Sequence, residues 1–235
     1  MKNCKVLFLD LETYGHDFAA NMGYITVSSY KWLDENKVHT ITRKNPSQWT
    51  KTPENDKDIC KQTADVIASA DVVVTWNGIQ FDYKFLQARM LHWGLGGLKY
   101  AGHEDLLMTA RKRLGMRPRS LEEVGRFLGC KEVKQKVPKE VWLAVGRGDP
   151  KALKVWMSRC ESDVRLLEEI YHILGPLSVT HPNVSGADSD KACSFCGENK
   201  LIKQGIKRAL RHYRQNYQCN KCHKWQTGNP IKYGK

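Results

Sequence analysis

The stretch KVLFLDLE, Lys5 to Glu12, sets five apolar side chains around two carboxylates. A short, nearly continuous apolar run suits a central strand buried on both faces. In such a strand residues two apart point the same way, so Asp10 and Glu12 share a face. Two acids side by side repel each other and resist desolvation unless a cation lies between them. The alternative is a strand end where both are simply solvated.

Working outward, YITVSSYKWL (Tyr24 to Leu33) and KVHTITR (Lys37 to Arg43) flank a polar turn and predict a β-hairpin. Helical periodicity covers Asp56 to Ala70, and a strand follows over Asp71 to Trp76. Another helix is expected from Phe81 to Trp93, with further helices starting near Asp105 and Ser120. A long 3.6-residue pattern then runs from Pro150 to Leu174. Early strands with interleaved later helices predict an α/β fold with a mixed sheet flanked by helices.

Two later segments extend the acidic theme. After the strand DVVVTW comes Asn77-Gly-Ile-Gln-Phe81-Asp82 at a helix start, and Asp163 lies in RCESDVRLLEEI beside the apolar stripe of Val164, Leu167 and Ile170. In this order and spacing the chain resembles the DEDD-type (DnaQ-like) 3′→5′ exonucleases of the ribonuclease-H-like superfamily. It is most similar to the proofreading domains of family B DNA polymerases and their stand-alone relatives. Asp10 and Glu12 match the first motif, Asn77, Phe81 and Asp82 the second, and Asp163 the third. His103-Glu-Asp105-Leu-Leu and SLEEVGRFLG (Ser120 to Gly129) also resemble stretches between the second and third motifs. The resemblance covers roughly residues 4 to 174.

It implies a ribonuclease-H-like sheet and two-metal phosphodiester hydrolysis, with two Mg²⁺ or Mn²⁺ ions held by Asp10, Glu12, Asp82 and Asp163. Asp10 is expected to bridge the ions, Glu12 and Asp163 to complete the site of the attacking water, and Asp82 to support the second ion directly or through water. Thr13, Asn77 and Phe81 are candidates for gripping the terminal nucleotide; for Phe81 the competing reading is core packing at the helix start. The third motif departs from the family pattern, which places Tyr four residues before the last Asp or His five before it. Here those positions hold Arg159 and Ser158. Arg159 is a poor base, because guanidinium stays protonated to a pH above ~12, but it can clamp a phosphate. His103 and His172 are the remaining candidates for a base.

The C-terminal quarter is different. Of 38 basic and 25 acidic residues in the chain, which give a net charge of +13, the stretch Pro176 to Lys235 holds 11 and 3. Such a basic excess suits a polyanion partner, nucleic acid first. GPLSVTHPNVSGADSDKA (Gly175 to Ala192) reads as a linker. The expected organisation is a domain over 1–175, a linker over 176–190 and a small module over 191–235. Cys193-x2-Cys196 and Cys219-x2-Cys222, 22 residues apart, have the spacing of one tetrahedral Zn²⁺ site. Two disulfides are the alternative, and His223 is an alternative ligand to Cys222. The module resembles the zinc ribbons of transposase-type DNA-binding proteins. Lys207, Arg208, Arg211 and Arg214 interleave with aromatics such as Tyr213, an arrangement suited to phosphates and exposed bases; a structural ribbon that docks on protein is the competing reading.

No apolar run reaches the ~18 residues of a membrane span, and the start lacks the pattern of a signal peptide. An intracellular, reducing, cytoplasmic location is therefore expected, where Cys4, Cys60, Cys130 and Cys160 are reduced, mostly buried thiols. DNA is the expected partner before RNA, with a replication, repair or recombination protein as a second partner. Three functional readings stand: a DNA exonuclease, an exoribonuclease on the same fold, and a catalytically weakened accessory protein that binds nucleic acid.

Overall fold

A computed structural model describes residues 4–15, 19–33, 35–43, 52, 54–99, 102–132, 137–178 and 180–233. The chain forms two compact units, Lys5–Tyr171 and a smaller one from His172 onward. In the larger unit, β1 (Val6–Gly15), β2 (Gly23–Trp32) and β3 (His39–Thr42) form an antiparallel meander. β4 (Val72–Thr75) and β5 (Gly102–Asp105) add in parallel on the other side of β1, giving a mixed sheet of order β3-β2-β1-β4-β5.

Strand alternation sorts β1. Leu7, Leu9 and Leu11 enter a core with Ile59, Cys60 and Ile67 of α1 (Lys57–Ala68) and Phe85, Leu86 and Met90 of α2 (Asp82–His92). Phe8 points the other way, its ring 5.2 Å from that of Tyr171 in an edge contact. Tyr171 belongs to α6 (Pro150–Leu174), whose ends agree with the sequence pattern. Trp156 and Cys160 of α6 are buried with Val27 of β2 in a second cluster. Lys31–Glu168 and a Thr40–Glu161 hydrogen bond of 2.7 Å dock the outer strands on the same helix.

Two short helices follow the sequence expectation, α3 (Leu106–Arg113), capped by Asp105, and α4 (Leu121–Leu128), capped by Ser120. Two elements go beyond it. β5 reads GHED and has no apolar alternation; it becomes a strand by pairing with β4 while Thr109 bonds Glu104 at 3.1 Å. α5 (Lys139–Gly146) is as short as α3 and α4 but has no side-chain cap like Asp105 or Ser120 to announce its start. A Cβ on Gly146 would come within 2.1 Å of the Tyr14 ring, so glycine permits this close approach of α5 to β1.

The smaller unit has order β6-β7-β8 for β6 (Leu201–Arg208), β7 (His212–Cys219) and β8 (Trp225–Thr227), with β9 (Ile231–Lys232) paired to β7. No helix among the described residues is long and apolar enough to cross a membrane.

One buried ion pair braces the larger unit. The Asp56 carboxylate accepts from Arg89 (Nε to Oδ2 at 3.0 Å, Nη2 to Oδ1 at 2.8 Å), from Trp93 Nε1 at 2.7 Å and from the Ile25 backbone N–H at 2.8 Å. Removing one partner leaves the other charge buried without compensation. We expect Asp56→Ala to lower unfolding free energy by about 3–5 kcal/mol, measured by urea denaturation.

Candidate active site

The same alternation that points Phe8 at α6 carries Asp10 and Glu12 to that face. On α6, Trp156, Cys160 and Asp163 recur at helical spacing and are all buried. One carboxylate oxygen from each of Asp10, Glu12 and Asp163 lies within 4.8 Å of the others. The strand is bent here: Glu12 pairs with Val27 but Thr13 pairs with Ile25, which leaves Thr26 as an extra residue. Thr26 Oγ1 donates to the Glu12 carbonyl at 2.8 Å and accepts from Trp156 Nε1 at 3.2 Å. The bulge thus fastens the acidic end of β1 to α6. Thr13, a candidate for the terminal nucleotide, is tied to α5 through its carbonyl, which accepts from Trp142 Nε1 at 3.3 Å.

Asp82 stands beside this cluster rather than in it. β4 accompanies β1 only as far as the Phe8–Val74 pair, so the Leu11 N–H has no strand partner. Asp82 Oδ1 accepts from it at 3.1 Å. Burial pushes the Asp82 carboxyl up to about 7, against the hydrogen bonds from backbone N–H groups and with the charges of Asp105 and Glu12 adding to the rise.

The loop leading to α2 is organised by Asp105. Its Oδ1 accepts from the N–H groups of Asn77 (2.9 Å) and Leu107 (3.1 Å), and its Oδ2 from that of Ile79 (3.2 Å). Asn77 adopts a left-handed φ of 68°, a conformation asparagine tolerates. Phe81 is half-buried against the core, its ring 5.7 Å from that of Phe85, which favours its packing role. His103 Nε2 shares a 2.8 Å hydrogen bond with Thr75 Oγ1 and its ring stacks 4.1 Å from Tyr83. Burial brings its pKa down to about 4, opposed by Asp105, so it is a neutral structural group at pH 7. His172 is exposed, nine residues beyond Asp163 on α6.

Arg159 Nε donates to Glu12 Oε1 at 2.8 Å, and the guanidinium sits 5.0 Å over the Trp156 ring. The residue four before Asp163 is thus a counter-ion inside the acidic site. The neighbouring Cys160 thiol donates to Asp10 Oδ2 at 3.4 Å, and burial pushes its pKa well above the ordinary range. The sequence marked Cys160 only as a buried thiol, which it is, and gave no site role to it, to Trp156 or to Thr26. The legible signal was position, because Cys160 and Trp156 precede Asp163 by three and seven residues on one helical stripe.

The RNase_H_2 family of the RNase_H superfamily matches residues 7–175, which take in all of the five-stranded sheet but Val6, and α6. The chain belongs to the RNase_H superfamily. A DNA polymerase of Methanocaldococcus jannaschii is 26% identical over 142 residues, 51% of this chain and 9% of that protein. The family B DNA polymerase of Pyrobaculum calidifontis shares the fold, with a TM-score of 0.55 at 16% identity over 88% of this chain and 31% of the polymerase chain. The aligned segments are therefore small parts of much longer relatives.

The four-cysteine unit lies beyond the RNase_H superfamily match. Cys193 and Cys222 sulfurs are 3.6 Å apart, as are those of Cys196 and Cys219, and all four fall within 4.8 Å of one another. Sulfurs at ~2.3 Å from a tetrahedral zinc are roughly 3.8 Å apart, so the cluster fits Zn²⁺, whereas a disulfide needs about 2.05 Å. Burial works to raise the Cys219 thiol, but the backbone N–H groups of Cys222 and Lys221, together with hydrogen bonds from the Cys196 and Cys222 thiols, hold it below its ordinary value. His223 is exposed and turns the chain through a φ of 57°, leaving Cys222 in the cluster. Beyond the cysteines, Lys207 pairs with Arg214 and Arg208 with Tyr213 across the β6–β7 hairpin, and Arg211 lies in its turn.

The folded His103 refuses a proton that the unfolded chain, with an ordinary value of 6.5, accepts. Between about pH 6.5 and 4 the unfolded state binds more protons, so stability falls as pH falls. We expect His103→Gln to make that fall shallower by up to one proton, read from urea midpoints across a pH series.

Proposed function

We propose that this chain is a DEDD-type, metal-dependent 3′→5′ exonuclease acting on nucleic acid, DNA before RNA. The observation that carries the reading is the convergence of Asp10, Glu12 and Asp163 within 4.8 Å on an RNase_H superfamily scaffold. Three partly buried carboxylates beside a polyanion substrate make sense when divalent cations join them. The sequence likeness to an archaeal DNA polymerase supports DNA as the substrate. The reading assigns residues 1–175 to catalysis, 176–190 to a linker and 191–235 to a zinc ribbon that grips the strand.

Asp10, Glu12 and Asp163, with Asp82 in support, would hold two Mg²⁺ or Mn²⁺ ions, whose chemistry when bound would be to acidify a water and to offset charge on the leaving oxygen. The chain's own residues do the rest. Asp82 holds the Leu11 N–H and so fixes the strand between Asp10 and Glu12. The Cys160 thiol sets the orientation of the Asp10 carboxylate. Arg159, released from Glu12, supplies a cation for a substrate phosphate. Asn77, Phe81 and Thr13 frame the terminal nucleotide. Water oxygen adds to phosphorus, the P–O3′ bond breaks and O3′ takes a proton, giving a nucleoside 5′-monophosphate and a new 3′ end.

The Arg159–Glu12 pair favours a second reading, a weakened nuclease that mainly binds, because the cation competes with metal for Glu12. Incubation of end-labelled single-stranded DNA and RNA with Mn²⁺ separates these. We expect laddering from the 3′ end, stronger on DNA, and in Asp10→Asn a loss exceeding the roughly 100-fold cost of outer-shell changes at metal sites. Mn²⁺ should also raise the melting temperature of the wild type and not of Asp10→Asn. Internal cuts, or cleavage and stabilisation unchanged by Asp10→Asn, would overturn the assignment.

A further inference from the structure

The small unit carries a cavity of about 430 Å³, lined by Trp225, Asn216, Thr227, Lys224 and His181 and bordered by Gln226 and Ser194. Its setting follows from the register of the sheet. Along β7, alternate residues share a face, and so do directly opposed residues on neighbouring strands. Tyr217 and its partner Gln226 define the inner face. Tyr217 is buried, while Gln226 Nε2 donates to the carbonyls of Ser189 (2.6 Å) and Ala192 (2.9 Å) and its Oε1 accepts from the Ser194 N–H.

The outer face therefore holds the other set. Arg214 stands opposite Lys207, Asn216 opposite Thr227, and Gln218 opposite Trp225. His212, opposite Lys232, continues it to the hairpin end. This row has Lys207 and Arg214 beside the pair Asn216–Thr227 and then an indole 55% exposed, with a third cation, Lys232, at the hairpin end and no carboxylate among its members. From Arg214 to Gln218 the distance along the strand is about 14 Å at ~3.4 Å per residue. Arg208 and Tyr213, by contrast, are on the inner-face row, so the basic and aromatic residues of the hairpin do not form one surface.

We infer that this cavity receives an unstacked nucleobase, stacked on Trp225, from a single strand whose phosphates run over Lys207 and Arg214. The site deepens the reading of this unit as the strand-gripping module and rests on it. Charge complementarity selects a polyanion, and the exposed indole next to a cavity selects one with flat rings to offer. Lys224 donates to the Ser178 carbonyl at 2.8 Å and His181 is held neutral, its pKa brought down to about 4 by burial, opposed by the Pro182 carbonyl and aided by Lys224. Thr227 Oγ1 donates to Asn216 Oδ1 at 3.1 Å, fixing the amide at the cavity edge.

The test uses the full chain with Asp10→Asn to prevent cleavage, and a fluorescent single-stranded oligodeoxynucleotide titrated over a salt series. Trp225→Ala should weaken binding about 5- to 150-fold, the span of one base stack, without changing the salt slope. Trp225→Phe should restore most of the affinity. Lys207→Gln with Arg214→Gln should make the slope shallower by about 1.4, or ~0.7 for each phosphate that is no longer neutralised. Tyr213→Ala, on the inner-face row, should bind within about twofold of the parent, too little to register as the removal of a stack. Zinc content, measured in every variant, should match the parent, so that weaker binding reports the surface and not the fold. Unchanged binding by Trp225→Ala, or an equal loss with Tyr213→Ala, would sink the cavity while leaving the strand-gripping reading intact. A parent that binds no oligonucleotide at low salt would sink both.

Discussion

Three carboxylates within 4.8 Å of one another are the constraint around which the larger unit is built. At that distance each like-charged pair costs roughly 3 kcal/mol at an effective dielectric of about 20. Whole domains are stable by only about 5–15 kcal/mol. The cluster therefore survives only where rigid elements force it together and positive charge offsets it. Arg159 provides such charge, its Nε at 2.8 Å from Glu12 Oε1. Rigidity comes from the docking of α6 on β1 and β2, through the Phe8–Tyr171 ring contact and the Trp156–Thr26–Glu12 hydrogen-bond chain.

The supporting contacts share one logic, that of backbone groups left over where the sheet ends. β4 stops short, and Asp82 takes the Leu11 N–H that a longer strand would have paired. β1 bulges, and the extra Thr26 takes up the Glu12 carbonyl. An unpaired buried backbone group is costly, so side chains at these places are held firmly. The ends of the strands thereby become the best-defined positions from which to aim carboxylates.

The smaller unit solves a different problem. Its buried apolar residues are few, with Ala192, Tyr217 and the cysteines Cys193 and Cys219 foremost among the described ones. A core of that size cannot hold a fold by burial alone, and four sulfurs spaced to share one metal ion are where such a constraint would come from. Because the interior is so small, β6 and β9 are left largely for solvent. Basic residues on β6 and β7 can then serve a partner rather than the fold.

Much of this was legible in the chain by itself. The apolar run around Asp10 and Glu12 determined a buried strand with both acids on one face, and the long period of Pro150–Leu174 determined α6 nearly to the residue. Paired Cys-x2-Cys spacing determined the four-sulfur cluster, since a short knuckle can aim two thiols only at one point. These features depend on neighbours in sequence. Tertiary structure decided the rest: that Asp82 serves the Leu11 backbone, 71 residues away, that Arg159 faces Glu12 across 147 residues, and that Lys207 and Arg214 part company with Arg208 and Tyr213. GHED became a strand only because β4 was there to pair with it. Local pattern states which face a residue takes on its own element, whereas the group it meets depends on which distant element arrives, and that is set by the packing of the whole sheet.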